Sequence, residues 1–245
     1  MIYPSTDSLK DVREHFADLL KKEDFVVDKN GGKVIEITGA SFVANEDRIF
    51  GEPNSEYVAR ELAWYESQSL YVDDIPGGPP EIWKKVSSSD GEINSNYGYL
   101  VFSEENHSQF WKVLEELKKN KFSRRATMIY NRPSIWEEYD KDGMSDFICT
   151  YAHQYMVRND VLETHVYMRS NDAWAGYRND WAWAKHVQRK LAALLAVEPG
   201  PIVWNSASLH VYDSQFYLVD HYSKTGETSI TKKKYKELYP ESKHA

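Results

Sequence analysis

The decapeptide Asp146-Phe147-Ile148-Cys149-Thr150-Tyr151-Ala152-His153-Gln154-Tyr155 holds the only cysteine in a chain of 245 residues. Its aromatic and β-branched content reads as a strand over 147–157, which Asn159-Asp160 turns into a second strand over 162–168. That hairpin makes the fold a sheet-based one and carries the chain from Cys149 to Arg169 and Ser170. A lone cysteine cannot close an internal disulfide, so it serves either as a small buried apolar side chain or as a thiolate nucleophile. The residues downstream, Arg169-Ser170-Asn171-Asp172, Arg178-Asn179-Asp180 and His210-Val211-Tyr212, weigh on the second side. A guanidinium near a thiol lowers its pKa and stabilises the thiolate.

Outward from the hairpin, Ser8 to Lys22 has the period of an amphipathic helix, with Leu9, Val12, Phe16, Leu19 and Leu20 on one face and a capping box at Ser8 and Asp11. Residues 25–27 and 33–43 read as strands around the turn Asn30-Gly31-Gly32. Asn54 caps a helix to about Gln68, and a further helix is expected over 103–119. After a short strand at 126–130 and the hairpin, a helix is expected over 180–196, stopped by Pro199-Gly200-Pro201. A strand follows over 202–212, then a helical stretch at 215–223 and a charged tail from Lys232 with little order expected. Loops rich in proline, glycine and serine cover 73–80 and 87–96, with Trp83 between them.

With 41% hydrophobic and 14% aromatic residues, the chain is rich enough in apolar surface to fold, and 245 residues fit one domain. A net charge of −8 argues against a nucleic-acid polymer as ligand, since that binding rests on neutralising phosphates. It leaves room for one phosphate, which the pair Arg124-Arg125 is suited to hold; the plain alternative is a solvated loop pair. No apolar run has the length of a membrane span and Met1-Ile2-Tyr3-Pro4 does not open a signal peptide, which points to a soluble cytoplasmic protein. The eight histidines are scattered and no paired-cysteine spacing occurs, so no metal is expected.

Glu61 stands out because it lies within an apolar stripe, four residues after Tyr57 and four before Tyr65. A carboxylate carried toward the interior is costly unless it is paired or used. The alternative is a glutamate at the helix edge that reaches solvent.

Taken in order, Glu61-Leu62-Ala63-Trp64, Ile82-Trp83, Tyr97-Gly98, Ser123-Arg124-Arg125, Cys149, Gln154-Tyr155, Arg169-Ser170-Asn171-Asp172, Gly176 and His210-Val211-Tyr212 resemble the thymidylate synthase superfamily. Within it the chain is most similar to the deoxycytidylate hydroxymethylases of tailed phages, through Gly91–Gly98, Lys141–Phe147 and Tyr217–His221. Two departures from the synthases are Thr150, which follows the cysteine where they carry His, and the lack of an apolar C-terminal tail. The resemblance implies a single-domain α/β protein, three-layered around a mixed, twisted sheet. It also implies a homodimer with shared active sites, in which the Arg-Arg pair reaches the partner's site.

The resemblance further implies chemistry on deoxycytidylate, with 5,10-methylenetetrahydrofolate as co-substrate. Cys149 would be the nucleophile, Glu61 would organise water and move protons, and Asp180 would read the base. Arg124, Arg125, Arg169, Ser170 and, as a substitute for the synthases' basic loop, Lys29 would hold phosphate. Gln154 and Tyr97 would position base and solvent, His210 and Tyr212 the sugar, while Trp83, Asp172 and Gly176 would contact folate. An ionised carboxylate at Asp180 only accepts hydrogen bonds, which suits the exocyclic amine of cytosine; Asn179 in the same place would favour uracil, and capping of the helix is the structural alternative for Asp180. Three other functions stay open: a thymidylate synthase acting on deoxyuridylate, a hydroxymethylase of the ribonucleotide, and a non-catalytic nucleotide-binding partner of a replication assembly.

Overall fold

A type I′ two-residue turn joins antiparallel strands with the right-handed twist when both central residues take positive φ, and Asn159 and Asp160 do, at 51° and 58°. The computed structural model describes residues 7–28 and 31–244, so Lys29 lies outside the described residues. The helices are α1 (Leu9–Lys22), α2 (Ser55–Ser67), α3 (Glu81–Val86), α4 (Tyr97–Phe102), α5 (Gln109–Lys119), α6 (Ile135–Glu138), α7 (Ala175–Leu195), α8 (Phe216–Thr225) and α9 (Lys232–Leu238). The strands are β1 (Asp7–Ser8), β2 (Val26–Val27), β3 (Lys33–Val43), β4 (Thr127–Ile129), β5 (Thr150–Arg158), β6 (Val161–Met168), β7 (Asn171–Asp172) and β8 (Glu198–Tyr212). Among the described residues no helix is long and apolar enough to cross a membrane.

The chain divides into two compact units built from alternating segments. The first takes residues up to Pro53, Arg169–Ala182 and Pro201 onward. Here β3 runs antiparallel to β8 from Val34↔Tyr212 to Val43↔Val203, while β1 lies parallel to β3 and β7 parallel to β8, so the sheet is mixed as expected. Helix α1 covers it with Leu9, Val12, Phe16 and Leu20, and the capping box at its start is formed: the Ser8 amide donates to Asp11 Oδ2 at 2.8 Å and the Asp11 amide to Ser8 Oγ at 3.3 Å. The buried Arg13 on the same helix donates to the Ile49 carbonyl at 2.8 Å and makes a two-pronged pair with Glu46 at 3.1 and 2.7 Å. The charge is therefore compensated where it is buried.

The second unit takes Asn54–Met168 and Trp183–Gly200. Strands β4, β5 and β6 are antiparallel, with Thr127↔Gln154 and Gln154↔His165 in register, and a bulge falls between Thr150 and Ala152. The core gathers Trp64 and Tyr65 of α2, Tyr97 and Leu100 of α4, Phe110, Leu114 and Leu117 of α5, Tyr155 of β5 and Trp183 of α7. Buried Gln188 ties α7 to this unit by donating to the carbonyls of Leu162 and Gly200 at 3.1 and 3.2 Å.

Several boundaries differ from the sequence expectation: β5 starts at Thr150 and β8 at Glu198 rather than at 147 and 202, and α3, α4 and α6 were not expected. Helix α5 begins at Gln109 because His107 and Ser108 are both left-handed, at φ 63° and 50°, and break the helix expected from residue 103. Helix α7 begins at Ala175 rather than Asp180, because the carboxylate of Asp172 accepts the amides of Trp174, Ala175 and Gly176 at 3.0, 2.9 and 3.4 Å. Asp180 is thus inside the helix, and the capping alternative for it is excluded. Pro199-Gly200-Pro201 ends no helix directly but opens β8. The tail from Lys232 contains α9, capped by Thr231 and anchored by fully buried Tyr235, whose hydroxyl bonds Asp220 and Ser242.

Helix α4 lies so close to α2 that a Cβ on Gly98 would stand 1.7 Å from the Tyr65 carbonyl oxygen. Backbone cannot yield as a flexible side chain can, so Gly98→Ala is expected to cost at least about 3 kcal/mol, the upper end for overpacking. Urea unfolding of the purified variant checks this.

Candidate active site

The segment that enters β5 is fixed by a buried carboxylate. Asp146 accepts the amides of Asn94 and Ser95 at 2.8 Å each and the Ser95 hydroxyl at 2.7 Å. Three donors on one carboxylate pin the loop before Cys149. Ile148 and Thr150 on either side are buried, while Cys149 stays partly exposed, with Sγ 3.8 Å from the Phe147 carbonyl oxygen. Thr150 donates to the Tyr97 hydroxyl at 3.0 Å, so the residue after the cysteine locks the backbone that presents the thiol. Tyr97 is itself held between the rings of Tyr65 and Tyr130, 5.4 and 5.2 Å away.

Glu61 in α2 is 4% exposed, which sets aside the helix-edge alternative. Tyr57, one turn earlier, donates to Glu61 Oε1 at 2.6 Å, and the indole N–H of Trp83 lies 3.2 Å from the same oxygen and 2.8 Å from the Tyr57 hydroxyl. Burial raises the Glu61 carboxyl from its ordinary 4.5 to about 7, against the opposing pull of the Tyr57 and Trp83 hydrogen bonds. A carboxyl poised near neutrality can both take and give a proton. Trp83, assigned to folate by resemblance, therefore also orients the acid. Tyr57 did not emerge as a site residue from the sequence, although its spacing of four from Glu61 on one helix was the signal.

Arg124 and Arg125 lie on the exposed loop between α5 and β4. Arg125 pairs with Glu116 at 3.1 Å, whereas Arg124 has no ion-pair or hydrogen-bond partner among the described residues. Gln154 lies on β5. Its amide donates to the carbonyls of Ala126 and Tyr155 at 3.0 and 3.1 Å and accepts the Thr127 hydroxyl, on the opposite face of β5 from the buried Tyr155 ring.

The other expected residues belong to the first unit. Arg169 and Ser170 are partly buried just before β7, which sets Asp172 beside His210 of β8. Burial lowers the His210 pKa and the Arg169 guanidinium adds to this, while Asp172 and Glu36 oppose it, so the ring is neutral at neutral pH. Its Nδ1 lies 3.2 Å from Ser208 Oγ, and the half-exposed Tyr212 ring stands edge-on to it with centroids 5.0 Å apart. The first turns of α7 are tied down by Tyr177, donating to the Glu46 carbonyl at 2.9 Å, and Trp181, donating to that of Ala44 at 2.9 Å. Between them Asp180 Oδ2 accepts Asn171 Nδ2 at 2.8 Å, and a Cβ on Gly176 would lie 3.3 Å from that nitrogen. Among the described residues no group of three or more His, Cys, Asp or Glu could hold a metal ion.

Within the second unit, then, a partly exposed thiol and a buried carboxyl raised to about 7 are both fixed by the surrounding hydrogen bonds. A sequence model described as thymidylate synthase matches residues 53–237, and the chain belongs to the thymidylate synthase family. It is 55% identical over 236 residues to the deoxycytidylate 5-hydroxymethyltransferase of Enterobacteria phage T6, covering 94% of this chain and 96% of that one. The enzyme of the same name from Enterobacteria phage T4 is 54% identical over 235 residues, covering 93% and 96%. The thermostable thymidylate synthase A of Bacillus subtilis shares the fold, with a TM-score of 0.67 at 21% identity over 89% of this chain and 84% of that one.

The buried acid sets a direction for stability. Between pH 4.5 and 7 the folded chain holds a proton on Glu61 that the unfolded chain has lost, so this group's contribution falls as pH rises through that window and levels off above it. Glu61→Gln removes the slope. Relative to the parent, the variant is expected to gain on the order of 3 kcal/mol between pH 4 and pH 8, at about 1.4 kcal/mol per unit. Parallel urea-unfolding curves across that range would show that Glu61 does not titrate there.

Proposed function

We propose that this chain is a deoxycytidylate 5-hydroxymethyltransferase using 5,10-methylenetetrahydrofolate. The observation that carries the reading is Asp180, eleven residues after Arg169, whose carboxylate is held inside α7 by Asn171. As an acceptor it suits the exocyclic amine of cytosine and opposes the oxygen that uracil presents there. Helix α7 runs through both Asn179 and Asp180 and turns them about 100° apart, so only Asp180 shares the Asn171 bond. The relatives at 54–55% identity bear the same activity in their names, which supports the reading.

Carbon 5 of a pyrimidine is a weak nucleophile until something adds to carbon 6. The Cys149 thiolate forms the bond to carbon 6, and the electron pair displaced to carbon 5 takes up the one-carbon unit. A free thiol with pKa ~8.5 is only a few per cent ionised at neutral pH, so this step draws on a minor form. Glu61 takes the proton lost from carbon 5 as the bond to tetrahydrofolate breaks and the exocyclic methylene forms, and then holds the water that adds to it. Expulsion of the Cys149 thiolate then leaves 5-hydroxymethyl-deoxycytidylate, and tetrahydrofolate departs without being oxidised. The folate supplies a carbon at the oxidation level of formaldehyde. The partly exposed ring of Trp83, next to exposed Ile82, is a surface suited to a flat pterin, with Asp172 and Gly176 as further contacts.

Arg169 and Ser170 hold the nucleotide phosphate, and neutral His210 with Tyr212 the sugar hydroxyl. Arg124, exposed and unpartnered among the described residues, extends to the phosphate in a second copy, with Arg125 beside it. The exposed side chains of Ile129 and Tyr167, both in register with Ala152, form an apolar row on β4, β5 and β6 that favours such a dimer.

Mass analysis of the products after incubation with each of deoxycytidylate, deoxyuridylate, cytidylate and uridylate tests the reaction. Hydroxymethyl product is expected from deoxycytidylate alone, and Cys149→Ser should bind it yet turn over at least about a thousandfold more slowly. A methylated product with dihydrofolate would overturn the reading. For the shared site, mixing Arg124→Ala with Cys149→Ser subunits should restore activity through one intact site per mixed dimer. No recovery after demonstrated subunit exchange would count against it.

A further inference from the structure

Asn171 sits at the start of β7, 3% exposed, with its backbone paired to Leu209 of β8. Its amide nitrogen donates to Asp180 Oδ2 at 2.8 Å, while its amide oxygen is buried and has no partner among the described residues. As filling for a core this is a poor choice. An unpartnered buried acceptor carries a desolvation cost that an apolar side chain of similar size avoids. The same orphan oxygen shows which way the amide faces, because turning it over would set oxygen against the carboxylate, which only accepts. What the side chain provides is therefore the N–H given to Asp180.

We propose that Asn171 is a specificity-positioning residue, whose amide holds the Asp180 carboxylate in the oriented, ionised form that selects cytosine over uracil. The inference rests on the reading of Asp180 as the base-recognising group. Both ends of the bond are rigid, one on a strand paired to β8 and the other on the tied-down first turns of α7. A donor to one carboxylate oxygen fixes the plane of the group and favours its charged state. Removing that donor takes away one hydrogen bond that favours the charged, oriented form, and a protonated carboxyl can donate to the uracil oxygen that the ionised form repels. Gly176 leaves the space the pair needs, since a Cβ there would come within 3.3 Å of the Asn171 nitrogen and 3.8 Å of Asp180 Oδ2.

The test is the ratio of kcat/KM for deoxycytidylate to that for deoxyuridylate, measured on the full chain with methylenetetrahydrofolate. Asn171→Leu removes the donor at similar size and is expected to lower the ratio roughly tenfold to hundredfold, the worth of one hydrogen bond to a charged group. In an Asp180→Ala background the same substitution should change the ratio by no more than about twofold, because the group through which it acts is gone. Asn171→Ala, measured the same way, serves if the leucine variant does not fold. A folded Asn171 variant that keeps the parental ratio while Asp180→Ala shifts it would overturn the positioning role and leave the reading of Asp180 standing. An effect of equal size in both backgrounds would also overturn it, marking Asn171 as merely structural. If Asp180→Ala itself leaves the preference unchanged, the base-recognition reading falls instead.

Discussion

A carboxyl group inside an aromatic core is the constraint on which the catalytic unit depends. Glu61 is carried there by α2, whose capped start at Asn54 and core-facing Trp64 and Tyr65 fix the helix rotation. Burial alone would hold the acid protonated, and hydrogen bonds from Tyr57 and Trp83 return it toward neutrality. The indole donor that reaches Glu61 comes from Trp83 on α3. The cost in stability is a cost of function, since an uncharged side chain at this position would fold with less penalty.

Two acids near the start of α7 divide the remaining labour. Asp172 accepts backbone amides and so places the helix, which frees Asp180 for a task inside it. Asn171 immediately precedes the first acid in sequence and bonds the second, while its backbone belongs to the same short strand as the first. The start of α7, a strand pairing with β8 and a hydrogen bond to Asp180 are thus set by two consecutive residues, Asn171 and Asp172. The neutral state of His210 follows from the same neighbourhood, where burial and the Arg169 charge outweigh Asp172 and Glu36.

Much of this was legible in the sequence, and the exceptions have local causes. The hairpin at Asn159-Asp160 was readable because its turn needs two residues that tolerate positive φ. Glu61 was readable because helical spacing is strict, four residues from aromatic neighbours on each side. The early start of α7 was hidden because its first turn, Ala175-Gly176-Tyr177, has no apolar period, and the cap that specifies it acts from three residues upstream. Helix α9 was hidden because its attachment rests chiefly on one residue, Tyr235, amid lysines that read as a solvated tail. The partner of Asp180 could not be seen at all, since nothing in the spacing of Asn171 and Asp180 announces a bond between a strand and a helix.

The account turns on a covalent bond between Cys149 and carbon 6 of the nucleotide, which makes carbon 5 basic before any carbon is transferred. Incubating deoxycytidylate with the protein in heavy water without folate, and following the carbon 5 proton by nuclear magnetic resonance, observes that step alone. The account predicts that deuterium enters carbon 5 with the parent chain and not with Cys149→Ala. Exchange that persists in the alanine variant, or none with the parent under conditions where it turns over with folate, would contradict it.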